Sequence, residues 1–313
     1  MKKKINIVDV GARYGIHPNF KELENTANYY LYEIDEKECA RLKKKYKKNK
    51  NIKIINQGLY SKKTVLKFNL RNHRGLDSIY STNDSFLNEN KYKKNQFKEL
   101  DKKKVLFDTL DNTLGNKKID FLKLDVEGAE LEVLKGGKKQ IKNNILGIRS
   151  EVTFSSVYKN APMFGEINDY LINKDFEFIN FDYAGRGNKF GKYSLPGKYG
   201  QLITTDAVWI KKISTISKKD YVANLISISV FLFLNNAEDL AVDLLLDYTK
   251  KSKKNLKKLS KDPIIKFIQN KILVLFKTLS NSPYFSETEI NTDFKNLFGE
   301  SFPKYHNFYQ NNF

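Results

Sequence analysis

Cysteine is almost absent from the sequence, since Cys39 is the only one among 313 residues. A single thiol excludes an internal disulfide framework and a metal site built from several cysteines. Because reducing compartments keep thiols unpaired, this composition predicts a cytoplasmic protein. No neighbouring sequence feature activates Cys39, so we interpret it as a half-buried helix residue and not as a nucleophile.

Long apolar runs are also lacking. A membrane-spanning helix needs about 18 or more consecutive apolar residues, and the longest run here, Leu225–Leu234, is too short for that. We predict a buried helix at this position. The basic start Met1–Lys4 followed by apolar residues is similar to a signal peptide, but Asn6 and Asp9 interrupt the run and no small-residue cleavage site follows. We therefore expect a strand of the mature protein there.

Acidic residues are outnumbered, because 36 aspartates and glutamates stand against 56 lysines and arginines, which gives a net charge of +20. The lysines are scattered along a chain rich in asparagine and isoleucine, so a solvated surface explains them. A strongly basic protein is also attracted to polyanions such as anionic glycans, anionic lipids or nucleic acid. The charge leaves both interpretations open.

What the sequence does contain is an alternation of short apolar runs with amphipathic segments rich in lysine and glutamate. This alternation is typical of βαβ units and predicts an α/β fold with a doubly wound parallel sheet. The hydrophobic fraction of 40% is enough for a buried core. Strands are predicted at Ile5–Val10, Tyr29–Ile34, Ile52–Asn56, Ile119–Leu124, Ile145–Val152, Phe176–Phe181 and Ala207–Ile210, and helices at Pro18–Ala27, Glu36–Lys47, Ala129–Leu134 and Phe164–Asn173.

Two segments depart from this alternation. Residues 61–118 hold short alternating pieces around a polar stretch, which predicts a hairpin insertion over the carboxyl edge of the sheet, where it can shape a substrate pocket. Farther on, apolar residues recur at helical spacing and predict two long helices at Tyr221–Tyr248 and Pro263–Leu279. We therefore divide the chain into a domain at 1–213 and a helical C-terminal appendage at 214–313.

The appendage has amphipathic helices flanked by lysines. Such helices are compatible with three roles, namely formation of a homodimer, peripheral contact with the anionic inner surface of a membrane, and cover over the active site. The sequence does not choose among these roles.

A glycine turn follows the first predicted strand in the run Asp9-Val10-Gly11-Ala12-Arg13-Tyr14-Gly15. Gly11 lets the backbone approach a ligand, and Gly15 lets the next element pack on the strand, as in nucleotide-type sites of doubly wound folds. Asp9 can pair with the α-amino group of an amino-acid-like ligand, whereas it fits poorly beside a pyrophosphate. The turn alone is a weak signal, because any tight turn between a strand and a helix resembles it.

Acidic residues stand at the predicted tips of further strands. Glu33 ends the second strand, where a doubly wound fold binds the ribose hydroxyls of an adenosine cofactor. Asp125 and Glu127 follow a later buried strand, and Glu151 ends the strand after that. These carboxylates are delivered to the carboxyl edge of the sheet and predict a binding site there.

These motifs, in this order, resemble the FkbM-type methyltransferases, a branch of the Rossmann-like enzymes that depend on S-adenosylmethionine. The resemblance covers residues 5–210 and is carried by IVDVGARYG, YLYEID, NQGLYSKKTVLKF, RGLDSIY, VLFDTLDN, IDFLKLDVEGAELEVLKGG, ILGIRSEVTFSSVY and MFGEINDYLINKDFEF. The stretch KLDVEGAELEVLKGG is highly specific, whereas the glycine turn is not. The resemblance implies a seven-stranded sheet whose last strand is antiparallel, and O-methylation of a hydroxyl, often on a sugar.

The resemblance also implies roles for individual residues. Those near the methionine and sugar parts of the cofactor are Asp9, Gly11, Ala12, Arg13 and Gly15. Glu33 is expected to hold the ribose with Ile34 beside it, and Gly58 to lie near the adenine. Ile34 departs from the proline that the family commonly has after the ribose acid, so the helix entry is expected to differ. Asp125, Glu127 and Glu151 are expected to face the transferring methyl group.

Methyl transfer to a sugar hydroxyl needs a base, because this hydroxyl is far less acidic than any side-chain acid. We expect Asp125 to be that base, with Glu151 orienting or replacing it. In the alternative, Asp125, Glu127 and Glu151 hold a hard divalent ion such as Mg²⁺ or Ca²⁺, which binds the sugar oxygens. A structural role of Glu127 as a helix cap is equally compatible with the sequence.

Within the insertion, His73 and Ser78 are the candidates for contact with the substrate. The leading function is O-methylation of a sugar-containing metabolite or of a cell-surface glycan. The positive charge of the protein is compatible with an anionic acceptor. The alternative is a nucleic-acid methyltransferase acting on RNA, which the same charge suggests. No Asn-Pro-Pro-aromatic tetrapeptide follows Ile119–Asp125, where base-flipping enzymes need one, so we expect no nucleic-acid partner.

Overall fold

The computed structural model describes residues 4–90, 94–187, 200–257, 261–282 and 284–303, with their side chains except at 183–187. The chain divides into two compact units, the first at Lys3–Ile216 and the second containing Ser217–Phe313. The first unit contains every residue that the sequence predicts for the site.

Strands and helices alternate along the first unit. Its strands are β1 Asn6–Val10, β2 Asn28–Glu33, β3 Ile52–Asn56, β4 Gly58–Leu59, β5 Thr64–Arg71, β6 Glu99–Asp108, β7 Phe121–Leu124, β8 Gly147–Thr153, β9 Phe176–Gly187 and β10 Gln201–Lys211. Its α-helices are α1 Glu36–Lys45, α2 Asp84–Glu89, α3 Leu110–Leu114, α4 Glu130–Gly136, α5 Lys138–Asn143 and α6 Phe164–Ile172.

Seven of these strands form one sheet in the order β3–β2–β1–β7–β8–β10–β9. The first five in this order run parallel, whereas β10 is antiparallel to both β8 and β9. The predicted doubly wound α/β sheet of seven strands is therefore confirmed. The strand order reverses between β1 and β7, and doubly wound sheets bind ligands at such a switch point, outside the carboxyl ends of the strands.

The two faces of this sheet differ in polarity, because side chains alternate from one face to the other along each strand. One face is apolar and packs residues such as Leu122 and Trp209 into a core with α4 and α6. The opposite face carries Asp9, Lys123 and Arg149, which are register neighbours on β1, β7 and β8. Buried charges are costly unless they are paired, so this row requires ion pairs.

The segment at 61–118 contains most of a small separate sheet. β5 and β6 pair in the antiparallel sense, and β4 joins β6 in the parallel sense. After β5 the chain forms a 3₁₀ helix at Arg74–Leu76 and then α2. Residues 73–77 of this segment reach a cavity that also contains residues after β1 and β7.

One predicted helix is replaced by a shorter element. The sequence predicts a helix over Pro18–Ala27, and the structure has a 3₁₀ helix at Pro18–Leu23. The His17 side chain caps its first turn by accepting a hydrogen bond from a backbone N–H. After this helix the Leu23 carbonyl oxygen accepts hydrogen bonds from the N–H groups of Thr26 and Ala27, and the chain then enters β2.

The second unit is helical, with α7 Tyr221–Phe233, α8 Glu238–Ser252, α9 Pro263–Leu279 and α10 Glu287–Phe298. The predicted single helix Tyr221–Tyr248 is therefore divided into α7 and α8. The division lies at Asn236, whose left-handed φ of +57° cannot continue a right-handed helix. The sequence analysis does not predict α10, although Ser286 and Glu289 form a capping box at its start.

Within the described ranges of both units, no helix combines the length and the apolar character that crossing a membrane requires. The prediction of a buried helix at Leu225–Leu234 agrees with α7, in which Ile228, Val230 and Leu232 are fully buried.

Candidate active site

A cavity of about 500 Å³ opens at the carboxyl ends of β1, β2, β7 and β8. Cavities of about 300–1,000 Å³ are typical of sites for small molecules and cofactors. The walls come from the glycine turn, the end of β2, the start of β4, the turn after β7 and a loop of the insertion. The lining residues are Val10, Gly11, Arg13, Tyr14, Tyr32, Glu33, Ile34, Gln57, Gly58, Leu59, Phe68, His73, Arg74, Gly75, Leu76, Asp77, Ile79, Phe107, Asp125, Val126, Glu127, Ala129 and Glu151.

Gly11 determines the shape of the turn after β1. Its φ is +82°, and a Cβ at this position would lie 1.8 Å from the Asp125 carbonyl oxygen. The N–H groups of Gly11 and Ala12 both donate to the Tyr32 carbonyl oxygen at 3.0 Å. Only glycine therefore allows the turn after β1 to meet the turn after β7.

The predicted cofactor residues of this turn occupy different positions. Gly11 and Arg13 line the cavity, whereas Asp9, Ala12 and Gly15 are not among its lining residues. Ala12 is buried, and Gly15, with a φ of +95°, lies against the Tyr46 hydroxyl. Ala12 and Gly15 therefore contribute to the conformation of the turn without lining the cavity.

Asp9 lies beneath the turn in a buried ion pair. Its side chain is 2% exposed, and its Oδ1 is 3.3 Å from Lys123 Nζ. Its Oδ2 accepts a hydrogen bond from the His17 N–H at 3.3 Å. Burial raises the pKa of Asp9 to about 6, although Lys123 opposes this shift. Asp9 therefore supports the turn from beneath, and its direct contact with the cofactor stays a prediction.

Lys123 joins this buried carboxylate to the cavity. Its Nζ lies 3.2 Å from Asp125 Oδ2, and the Asp125 side chain is 42% exposed and lines the cavity. Burial acts to lower the pKa of Lys123, but the Asp125 and Asp9 carboxylates outweigh burial and raise that pKa above its usual value. Lys123 is therefore an ammonium ion held between two carboxylates.

The cofactor end of the cavity consists of Gly11, Glu33, Ile34 and Gly58, which all line it. Glu33 Oε1 accepts a hydrogen bond from the Asp35 N–H at 2.7 Å, and burial raises the pKa of Glu33. A Cβ on Gly58 would lie 2.6 Å from the Phe107 ring and 2.9 Å from Ile34 Cδ1. The absence of a side chain at Gly58 therefore keeps a narrow apolar space open.

Ion pairs connect the insertion to the cofactor end. Arg13 Nη1 and Arg74 Nη2 lie 3.4 and 3.2 Å from the same oxygen of Asp35. Arg74 also pairs with Asp77 at 2.7 Å. Arg13 belongs to the glycine turn and Arg74 to the insertion, so the two segments share one carboxylate.

His73 lies in the lining of the cavity. A Cβ on the neighbouring Gly75 would be 2.9 Å from His73 Cε1 and 3.1 Å from the Tyr14 hydroxyl. The His73 loop therefore meets the glycine turn closely, and contact of His73 with a ligand stays a prediction.

The acid end of the cavity consists of Asp125, Glu127 and Glu151, whose carboxylate oxygens lie within 4.8 Å of one another. Burial raises the pKa of both glutamates, and neighbouring carboxylates raise it further. Carboxyl groups this close cannot all ionise easily, because like charges repel. Glu127 and Glu151 therefore hold protons more tightly than isolated carboxyl groups do.

Glu127 has an uncommon backbone conformation, with a φ of +56°. For a residue other than glycine this left-handed region costs roughly 1–2 kcal/mol. The Ser78 hydroxyl donates to the Glu127 carbonyl oxygen at 2.6 Å, and the Tyr158 hydroxyl donates to Glu127 Oε2 at 2.5 Å. Ser78 is fully buried and is not among the lining residues of the cavity, so it supports Glu127 here, and its contact with a substrate stays a prediction.

Glu130, the first residue of α4, holds the turn that precedes this helix, and no side chain of the described residues caps the helix start. Glu130 Oε1 accepts hydrogen bonds from the N–H groups of Val126 at 2.8 Å and Gly128 at 3.4 Å. Burial raises the pKa of Glu130 to about 7 despite these hydrogen bonds. The Glu127 side chain, for which the sequence leaves a helix-cap role open, lines the cavity instead.

The three carboxylates of the acid end match the oxygen ligands that Mg²⁺ and Ca²⁺ prefer. Each of them already has one oxygen engaged, because Asp125 Oδ2 accepts from Lys123 Nζ at 3.2 Å, Glu127 Oε2 binds Tyr158, and Glu151 Oε1 accepts from the Thr204 hydroxyl at 2.8 Å. A divalent ion would have to use the remaining oxygens. Metal binding by this cluster stays a proposal.

Three residues around the site are missing from the sequence prediction, namely Lys123, Arg149 and Tyr158. Lys123 and Arg149 are charged residues inside apolar strands, and a buried charge is a signal that the sequence does contain. Arg149 pairs with Asp182 and Asp206, at 2.6 Å each. Tyr158 has no comparable local signal, because its partner Glu127 is distant along the chain.

Comparison with known proteins gives one family match. Residues 9–178, more than half of the chain, match the family described as the methyltransferase FkbM domain. The search of curated proteins gives no match.

Solved structures give weak matches. Methyltransferase FkbM from Methylobacillus flagellatus KT has a TM-score of 0.40 and 12% identity, covering 67% of this chain and 44% of that one. An rRNA methylase from Streptococcus thermophilus has a TM-score of 0.35 and 11% identity, covering 68% and 89%. A Streptococcus mutans protein in complex with SAH has a TM-score of 0.30 and 10% identity, covering 67% and 90%. The matched region thus spans less than half of the Methylobacillus protein.

Proposed function

Because the chain belongs to the FkbM methyltransferase family, we propose that it transfers a methyl group from S-adenosylmethionine to a hydroxyl group of a sugar or glycan. Family membership makes residues 9–178 a methyltransferase domain that depends on S-adenosylmethionine, which confirms the family and the cofactor predicted from the motifs. The observation that carries the sugar acceptor is the convergence of three carboxylates within 4.8 Å.

The cofactor end suits S-adenosylmethionine in shape and chemistry. Glu33 suits ribose hydroxyls, because both oxygens of a carboxylate accept hydrogen bonds. The apolar space beside Ile34 and Phe107, kept open by Gly58, suits a flat adenine ring. The turn at Gly11 leaves backbone close to the remaining, methionine part of the cofactor.

The acid end favours a neutral acceptor rich in hydroxyls. Each carboxylate accepts hydrogen bonds from hydroxyls, so several hydroxyls of one sugar ring can be held together. The same carboxylates repel phosphate or carboxylate groups beside them. An anionic part of the same glycan has room in a neighbouring cavity of about 560 Å³, which Lys37, Lys103 and Lys104 help to line.

Bound S-adenosylmethionine supplies a methyl group carried on a positively charged sulfur. The residues of the acid end position the acceptor hydroxyl, and positioning of reacting groups contributes up to about 7–11 kcal/mol. One carboxylate accepts the hydroxyl proton as the new bond forms, which contributes about 10²–10⁴-fold in rate. From the sequence we expect Asp125 to be this base, with Glu151 orienting or replacing it, whereas the contacts of Glu127 favour Glu127 instead.

Transfer of a labelled methyl group to separate pools of glycans and RNA tests the proposal. We expect label in glycans that contain neutral sugars and none in RNA. The matched control is Glu33→Gln, which weakens the cofactor end only, so the label should fall in parallel with cofactor affinity. Label in RNA alone would contradict the sugar acceptor and support the RNA alternative.

A chelator tests the metal alternative with the same assay. If the acid end works through a divalent ion, activity should disappear with chelator and return with Mg²⁺ or Ca²⁺. Unchanged turnover in chelator would exclude that alternative and leave the carboxylates to act directly.

For α7–α10 we propose association of two copies of the chain. These helices lie outside the family match, and apolar side chains are exposed on this unit at Val274, Tyr284 and Phe285. Exposed apolar residues of this size favour a protein contact when they are close together. Light scattering on the full chain should give the mass of a dimer, and a monomer at every concentration would contradict the proposal.

A further inference from the structure

Glu127 differs from the other two carboxylates of the acid end in the way it is held. Its backbone is left-handed, with a φ of +56°. Ser78 binds its carbonyl oxygen and Tyr158 binds its side chain, and both partners come from distant parts of the chain. Strained residues that the surrounding structure holds in place are concentrated at functional sites, so this geometry points to a function for the Glu127 side chain.

Tyr158 is itself held firmly. It is 3% exposed, and its ring packs against Phe97 with 6.1 Å between centroids. The Arg71 guanidinium carbon lies 5.1 Å from the centre of the Tyr158 ring, and Arg71 Nη2 donates to the Tyr80 carbonyl oxygen at 2.7 Å. The Tyr158 hydroxyl is therefore fixed where it binds Glu127 Oε2, and Oε1 remains for a ligand.

Asp125 is placed differently, since Lys123 Nζ lies 3.2 Å from its Oδ2. This carboxylate is already paired with a buried ammonium, which leaves its other oxygen to accept hydrogen bonds from ligand hydroxyls. Among the described residues, no salt bridge is formed by Glu127 or Glu151. The ion-paired carboxylate and the proton-accepting carboxylate are therefore different residues.

We propose that Glu127 is the catalytic base of the methyl transfer and that Tyr158 is the positioning residue that directs Glu127 towards the acceptor hydroxyl. This assignment rests on the proposed O-methylation, and it replaces Asp125 as the base. Glu151, whose Oε1 binds the Thr204 hydroxyl, holds the acceptor from the side.

The hydroxyl oxygen forms a bond to the methyl carbon, while the bond between that carbon and sulfur breaks and its electron pair stays on sulfur. The hydroxyl proton moves to Glu127 Oε1, and Glu127 later releases it to water. The positive charge of the sulfur is thereby cancelled, and the proton is the only other product besides the methyl ether and S-adenosylhomocysteine.

The proton affinity of Glu127 depends on groups that face it from several elements. Burial raises the pKa of Glu127 most, neighbouring carboxylates raise it further, and the Tyr158 hydrogen bond and Arg71 lower it. The titratable and charged groups around Glu127 are Asp125, Glu130, Glu151, Arg71 and Tyr158. Removal of the Tyr158 hydroxyl should therefore raise the pKa of Glu127 further.

The test compares Glu127→Gln with Tyr158→Phe in the full chain, with kcat/KM measured against pH on an accepted substrate. Glu127→Gln should lower kcat by about 100- to 10,000-fold while the Kd for S-adenosylmethionine changes less than about twofold. Tyr158→Phe should lower kcat by about tenfold. It should also move the acidic limb of the profile towards higher pH by about one unit, because a donor to the carboxylate is lost.

Tyr170→Phe is the matched control. It removes a tyrosine hydroxyl that donates to the Leu134 carbonyl oxygen at 3.4 Å and lies outside the cavity lining. This variant should leave kcat and the pH profile unchanged. A Tyr158→Phe profile that coincides with wild type would overturn the positioning role, and a larger loss in Asp125→Asn than in Glu127→Gln would overturn the base assignment.

A second readout needs no acceptor and separates this inference from the proposed function. Carbon-13 NMR follows the Glu127 carboxyl, identified by the signal that Glu127→Gln removes. The pKa of this carboxyl should be higher than that of exposed glutamates, and it should be higher still in Tyr158→Phe. Titration of Glu127 in the ordinary range, unchanged in Tyr158→Phe, would overturn the inference. The expected titration in a protein that methylates RNA alone would support the residue assignment and contradict only the sugar acceptor.

Discussion

The cofactor end and the acid end of the same cavity are built in different ways. At the cofactor end, shape comes from the backbone, since a Cβ on Gly11 would lie 1.8 Å from a carbonyl oxygen and Glu33 is held by the nearby Asp35 N–H. At the acid end, Glu127 is held by Ser78 and Tyr158 from distant segments. The cofactor end is thus encoded locally, whereas the acid end, to which we assign the acceptor proton, is assembled by the tertiary fold.

The two ends also differ in their cost to stability. The cofactor end uses glycines where positive φ or close contact requires them. The acid end contains a left-handed glutamate, and burial raises the pKa of both its glutamates. Strain and perturbed pKa values of this kind are typical of reactive groups. Substitutions at the two ends should therefore differ in what they change.

Lys123→Met should have the largest effect on stability. Asp9 would keep a buried charge without its ammonium partner, so the free energy of unfolding near neutral pH should fall by about 3–5 kcal/mol. Lys123 lowers the pKa of Asp9, which is about 6 with Lys123 present, so that pKa should be higher in the variant and the loss should shrink as pH falls towards 6, because Asp9 takes up a proton. Chemical denaturation at two pH values measures both effects.

Lys135→Met is the matched control for that change. Lys135 pairs with Glu132 at 2.8 Å, but its side chain is 40% exposed. Breaking an exposed pair should cost only about 0.2–1 kcal/mol. Equal losses in the two variants would contradict the claim that burial makes the Lys123–Asp9 pair costly to break.

Gly11→Ala should have the second largest effect, which is a loss of affinity for the cofactor. The methyl group collides with the Asp125 carbonyl oxygen, so the turns after β1 and β7 must separate. We expect cofactor affinity to fall at least about 100-fold, which corresponds to about 2.8 kcal/mol. Gly115→Ala is the control, since Gly115 has a φ of +58° but no atom within 4 Å of the added Cβ. It should cost about 1–2 kcal/mol of stability and leave affinity unchanged, and equal affinity losses would contradict the steric explanation.

Glu127→Gln should have a smaller effect on stability, and this effect should depend on pH. A carboxyl whose pKa is raised by folding contributes stability below its unfolded pKa and loses it as pH rises through the folded value. Wild type should therefore lose stability relative to Glu127→Gln as pH rises, by about 1.4 kcal/mol per unit of pKa shift. Thermal unfolding of both proteins between about pH 5 and about pH 9 measures the difference. The exposed Glu287→Gln should show no such trend, and a flat difference for Glu127→Gln would contradict the raised pKa.

The fold could be predicted from the sequence because its signals are local. Apolar runs such as Ile5–Val10 and Ile52–Asn56 became β1 and β3 with nearly the same bounds. Local sequence patterns did not predict that a 3₁₀ helix at Pro18–Leu23 would replace the expected α-helix. The chain leaves this helix at Leu23, whose carbonyl oxygen accepts from the two N–H groups that precede β2. Asn236, which separates α7 from α8, is a plausible helix residue by composition and acts through its left-handed φ.

The candidate site was predictable in part for the same reason. Glu33, Glu127 and Glu151 follow apolar strands, and all three line the cavity. Ser78 was assigned to the substrate because its hydroxyl could serve as a ligand contact, and only the structure shows that it binds the Glu127 carbonyl oxygen. Tyr158 could not be identified, because nothing near it in the sequence reveals a contact with a residue on another loop.

Calorimetric titration of S-adenosylmethionine into wild type, Glu33→Gln and Glu127→Gln tests the division of the cavity most directly. Hydrogen bonds to a charged group contribute about 1.5–3 kcal/mol, so Kd should rise about 10- to 100-fold in Glu33→Gln. In Glu127→Gln it should stay within about twofold of wild type, since Glu127 acts on the acceptor. Equal weakening in both variants, or unchanged affinity in Glu33→Gln, would contradict a cofactor end and an acid end with separate tasks.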